Sequence, residues 1–180
     1  PMSTYQSYLG LPALAGTCSM EKGMKPGLSV EECVRRLKRY HYAFKRLHQV
    51  FNTRITGEPI YELKMGFSLH AHLCAEHVTA LRKRVGEMRE PPLGLDVVPD
   101  ESLEILFDEI LAAPQTTELL CGVYEIAIPA LKAGLQRHLK DTNLLADYPS
   151  VRICRFALLE LDDMLSYGTQ AIAALVDEND

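Results

Sequence analysis

His70 and His77 stand two helical turns apart in the stretch SLHAHLCAEHVTALRKR, residues 68–84. Counted at about 100° per residue, Leu63, Gly66, His70, Leu73, Cys74, His77, Leu81 and Met88 share one face of a helix, while His72, Glu76, Thr79 and Lys83 share the other. An imidazole on an apolar face is buried, and a buried polar group needs a partner. His41 and His48 repeat the pattern within Val30, Val34, Leu37, His41, Phe44, His48 and Ile55. Two carboxylates also have apolar neighbours at helical spacing. Glu125 lies among Cys121, Gly122, Ile128 and Pro129, and Glu160 among Ile153, Phe156, Met164 and Tyr167. Asp163, one turn beyond Glu160, would widen such a site.

Imidazole and carboxylate together suit iron, manganese or zinc. The candidate metal ligands are therefore His41, His48, His70, His77, Glu125, Glu160 and Asp163. Histidines seven apart are separated by about 10.5 Å along a helix, so a compact centre takes at most one from each pair. The simpler expectation is that these groups hydrogen-bond one another across helices, as most buried polar groups do. Cys74 sits one turn from both His70 and His77, but a Cys–His dyad also needs a pocket and an oxyanion hole, which one helix cannot supply. No phosphate-cradling glycine loop or nucleophile elbow is present.

Four long helices must position these residues. Ser29-Val30-Glu31-Glu32 reads as a capping box opening a first helix over about 30–54. Gly57-Glu58-Pro59 breaks it, and a second helix runs from Pro59 to about Arg89, stopped by Pro91-Pro92. A short connecting helix follows at about 101–112. The third helix occupies about 116–140, with Pro129 expected to kink it, and the fourth about 150–176. Arg35, Lys38, Arg39, Tyr42 and Arg46 lie opposite the first helix's apolar stripe. With Arg82, Lys83 and Arg84, its basic residues read as a solvated face. Residues 1–28, rich in Gly and Pro, form an extended N-terminal arm packed through Leu9, Leu11 and Leu14. Residues 29–176 form the helical domain, and 177–180 an acidic tail.

The chain has 180 residues, five cysteines and a net charge of −5. That length buries a single core, and the acidic balance argues against nucleic acid as a partner. The cysteines (18, 33, 74, 121 and 154) are scattered and odd in number, which fits free thiols, mostly in the core, and a cytoplasmic setting. No apolar run reaches the roughly 18 residues of a membrane span.

Two long helices, a crossing connection with a short helix, then two more long helices: this order resembles the ferritin-like four-helix bundle over residues 29–176. The resemblance implies an all-α, up-and-down bundle. In di-iron members of that family, two helices each carry a Glu and the other two each carry Glu-x-x-His. Here Cys74 precedes His77 by three positions, Phe67 precedes His70 and Leu135 precedes His138, while Glu160-Leu161-Asp162-Asp163 puts Asp163 where a His belongs. The resemblance therefore implies a diverged member: an accessory or scaffold module that self-associates or binds a protein partner, its interior polar groups paired with each other. The alternative is an iron- or manganese-dependent oxidoreductase using the His/Glu set.

Overall fold

A computed structural model describes residues 6–88 and 94–177, and among them every regular element is helical. After two tight 3₁₀ turns, Tyr8–Gly10 and Ala13–Gly16, come α1 (Met20–Met24), α2 (Val30–Ile55), α3 (Tyr61–Glu87) and α4 (Glu101–Leu111). Next are α5 (Thr116–Leu120), a π-helical turn (Cys121–Ala127), α6 (Ile128–Asp141) and α7 (Tyr148–Asp177). The expected stop at Pro91-Pro92 and the tail beyond residue 177 lie outside the described residues. Among the described residues, no helix is long and apolar enough to cross a membrane.

The Ser29 hydroxyl accepts from the amide of Glu32 at 3.2 Å and opens α2. Only this half of the expected box forms, because the Glu32 carboxylate turns to Arg35 and Arg36 instead. α2 lies along α3, α3 packs on α7, α7 on α6, and α6 returns to α2. Leu37, Phe44, Leu47, Phe51, Phe67, Leu81, Leu135 and Leu161 fill the space between them. The arm departs from expectation. Leu9 and Leu11 are exposed, and the arm is tied down by Asn143, whose Nδ2 donates to the carbonyls of Gly23 and Lys25.

The expected basic face of α2 is solvated at Arg35 and Arg39 but not along its whole length, because α4 and the loop before it cover part of it. Tyr42 and Arg46 are buried, and Arg46 donates to Asp108 at 2.5 Å and to Tyr42 at 2.9 Å. Arg39 pairs with Asp100, and Lys45 with Asp96. Arg39 and Arg46 are thus neutralised by acids from the segment that crosses the face, whereas Arg35 pairs with Glu32 on α2 itself. The exposed pairs add little each, whereas Arg46 has its guanidinium buried against Tyr42 and reaches out to an Asp108 that remains largely exposed, which ties α4 to α2.

Pro129 acts differently from a kink. It has no N–H to offer the carbonyl of Glu125, and the chain widens into a π turn in which Ile128 N–H reaches back five residues to Val123. The wider turn shifts the phase of everything within it. Tyr124 is carried inward and Glu125 outward. Tyr124 then lies against Gly168 of α7, where an added Cβ would overlap Cγ of the ring and meet Cδ1 at 2.5 Å and Cβ at 2.6 Å. Neither the buried ring nor the helix backbone can give way. Gly168→Ala is expected to cost about 2–3 kcal/mol by overpacking, read as a lowered urea midpoint. An unchanged midpoint would mean that the helices separate freely here.

Candidate functional site

The seven residues proposed from spacing do not converge. His70 on α3 is buried, and its Nδ1 lies 2.7 Å from the Tyr124 hydroxyl on the π turn. We assign the hydroxyl as the donor, which leaves the ring proton on Nε2. Phe51, Tyr124 and Tyr167 pack edge-on against the ring. Burial holds the His70 pKa down at about 4. One site on, Nε2 of His77 lies 2.7 Å from Oε1 of Glu160 on α7. The oxygen is off the direction of the ring N–H, so the contact is an electrostatic pairing rather than an aligned hydrogen bond. Burial lowers the His77 pKa, and Glu160 opposes that without overcoming it.

His41 is fully buried, and neither ring nitrogen has a hydrogen-bond partner among the described residues. Burial, helped by Arg82 and Lys45 against a weaker pull from Asp96, brings its pKa down to about 4. His48 sits at the edge of the core. Its Nδ1 donates to the carbonyl of Ala71 at 2.9 Å, and Asn52 meets Nε2 at 3.1 Å. His72 and Glu76 are exposed, as their face required.

Glu125 and Asp163 correct the expectation of inward carboxylates, since both are exposed. For Glu125 the cause is the π turn, which breaks the 100° count between Cys121 and Ala127. Asp163 lies one residue before the buried Met164, on the outer face of α7. A di-metal carboxylate centre does not fit these residues. His70 and His77 are engaged by Tyr124 and Glu160, and two of the three proposed carboxylates face out.

The residues that do converge lie at one end of the molecule. Among the described residues, Cys33, His138 and Asp147 form the one group of three or more His, Cys, Asp or Glu whose ligand atoms all fall within 4.8 Å of one another. Cys33 comes from the first turn of α2, His138 from the last turn of α6, and Asp147 immediately precedes α7, its carbonyl accepting from Val151. His138 Nε2 lies 3.0 Å from Asp147 Oδ2, Cys33 Sγ lies 3.7 Å from that oxygen, and Thr142 donates to it at 2.7 Å. Arg84 donates from Nη2 to Oδ1 at 3.2 Å and from Nε to Ser150 at 2.8 Å.

Burial alone would raise the Asp147 pKa, but His138, Ser150, Thr142 and Arg84 together hold its carboxyl well below the usual carboxylate range. Burial and the Asp147 charge push the Cys33 thiol up. It is therefore protonated, and not a nucleophile of the activated kind. Cys33 and Asp147 form part of the wall of a cavity of about 340 Å³, along with Arg84, Glu87, Met88 and Asn143. A hollow of about 1070 Å³ between α4 and the π turn has no histidine in its lining.

This cluster was not among the spacing-based candidates. Its members are single residues on three elements, and no spacing rule joins them. His138 does follow Leu131 and Leu135 on the inward stripe of α6, and Asp147 stands in the capping position before Tyr148-Pro149. Those were the available signals. Cys33, Cys74 and Cys154 are buried free thiols, whereas Cys18 and Cys121 are partly exposed. Comparison of the chain with protein-family models, with curated proteins and with solved structures finds no match.

Proposed function

We propose that this chain is an accessory or scaffold module of ferritin-like, four-helix architecture, in which His70 and His77 are held by Tyr124 and Glu160 in place of a metal pair. The closed circuit of packing, α2 to α3 to α7 to α6 and back to α2, supports the architecture. The connection that carries α4 crosses from α3 to the diagonally placed third helix. The observation that carries the reading is the fate of His70 and His77, one on Tyr124 at 2.7 Å and the other beside Glu160 at 2.7 Å. An enzyme using the same groups as iron or manganese ligands would have to exchange both partners for the ion.

Iron(II) and manganese(II) loading in a Cys33→Ala background tests this, because that variant disables the separate cluster at the end of the molecule. The reading predicts less than about a tenth of an ion per chain, since a preformed multi-ligand site would fill. It also predicts an unchanged urea midpoint on adding either ion. A double-mutant cycle between His70→Phe and Tyr124→Phe should return a coupling of about 1 kcal/mol. Near-stoichiometric metal, lost in both His77→Ala and Glu160→Ala, would replace this reading with the oxidoreductase one.

A further inference from the structure

We propose that Cys33, His138 and Asp147 form a binding site for a single zinc-class divalent cation, with a fourth coordination position open to the adjoining cavity. Thiolate, imidazole and carboxylate make a donor set suited to zinc. With bond lengths of about 2.3 Å to sulfur and about 2.0 Å to nitrogen and oxygen, tetrahedral geometry puts ligand atoms about 3.5 Å apart for S···O and about 3.3 Å apart for N···O. The observed separations, 3.7 Å for Sγ to Oδ2 and 3.0 Å for Nε2 to Oδ2, lie on either side of those values. Sγ and Nε2 lie within 4.8 Å of each other, so an ion enters as the Cys33 and His138 side chains close on it from either side of Asp147.

The surroundings match a bound cation. Thr142 already donates to Oδ2 and Arg84 to Oδ1, so the carboxylate is oriented by outer hydrogen bonds of the kind that support metal ligands. Charge closes as well. Zinc(II) is neutralised by the Cys33 thiolate and Asp147, which leaves Arg84 to Glu87, whose Oε2 lies 3.5 Å from its Nη1. Nδ1 of His138 is buried without a hydrogen-bond partner among the described residues, so it is the nitrogen free to take the ring proton when Nε2 turns to the metal.

The proton count follows. Cys33 gives up its thiol proton to bulk water, and the His138 ring proton moves from Nε2 to Nδ1. One proton is released per ion bound. Cys33 and Asp147, but not His138, line the cavity of about 340 Å³. The open position therefore faces that space, as in three-ligand zinc sites that keep a place for water or a small anion. This site shares no residue with the interior histidine pairs, and neither proposal depends on the other.

Titration of the apo-protein with zinc(II) and with cobalt(II) as a spectroscopic probe tests the site. The expected result is one ion per chain, about one proton released, and a thiolate-to-cobalt charge-transfer band. Cys33→Ser should abolish the band and weaken zinc at least about 100-fold, whereas Cys154→Ser should keep both. Zinc should also slow alkylation of Cys33 in the unaltered protein, mapped by mass spectrometry, a readout that needs no variant to fold. No ion bound, a cobalt spectrum without the thiolate band, or alkylation of Cys33 indifferent to zinc would each overturn the proposal.

Discussion

Lowering the pH from 7 to 4 is expected to unfold much of this protein, and histidines rather than carboxylates will be the cause. His41 and His70 have folded pKa values near 4, against 6.5 when exposed. Between those limits the unfolded chain binds protons that the folded chain refuses, so stability rises with pH across the window. It is fully present above about 6.5 and drains away as pH falls toward 4. Each imidazole takes roughly 2–3 kcal/mol with it. His77 is shifted in the same direction and adds to the loss. The sum is comparable to the whole stability of an ordinary domain. Urea midpoints followed by circular dichroism from pH 8 to pH 4 measure it. His41→Gln, which cannot titrate, should flatten the curve by about its own share. A midpoint level between pH 7 and pH 5 would show that these rings are hydrated in the folded protein.

Asp147→Ala should be among the most damaging single changes in the molecule. The carboxylate takes hydrogen bonds from His138, Thr142 and Arg84, which belong to α6, the loop after it and α3. His138 is fully buried, and the Arg84 side chain is 12% exposed. Removing their common acceptor leaves the guanidinium with only Ser150 and Glu87 and the imidazole without a hydrogen-bond partner among the described residues. Breaking one side of such a buried pair costs about 3–5 kcal/mol. Arg84→Leu with Asp147→Leu should cost less than the sum of the single changes, because the pair is removed along with the penalty of leaving one charge alone. Denaturation of the two singles and the double settles this. If Asp147→Ala costs under about 1 kcal/mol, water already enters this end of the molecule and the cluster is not a buried hub.

The helices themselves were readable from the sequence because their signals are local. Ser29 and the Gly57–Pro59 break mark ends, and the apolar stripes of α2 and α3 mark faces. The inward placement of His41, His70 and His77 followed from those stripes. What each histidine met did not, because partner identity depends on the phase and height of another helix. Tyr124 reaches His70 only because Pro129 forces a π turn, and that same turn expels Glu125. A count at 100° per residue has no way to register an inserted residue. The basic face of α2 was misread for a related reason. Arg46 and Tyr42 look solvent-facing on an isolated wheel, yet α4 and its Asp108 lie over them. The Cys33, His138 and Asp147 cluster was hidden most completely, as its members are distant in sequence and come together only where three element ends meet.

Long-range ¹H–¹⁵N NMR of the imidazoles, recorded on Cys33→Ala protein with and without manganese(II), bears most directly on how the interior is held. If His70 and His77 are bound by Tyr124 and Glu160, both rings report neutral imidazoles at pH 7, with the His70 proton on Nε2, and neither is broadened by the paramagnetic ion. Selective loss of the His70 and His77 signals on adding manganese would contradict that account and put a metal where Tyr124 and Glu160 now meet the rings.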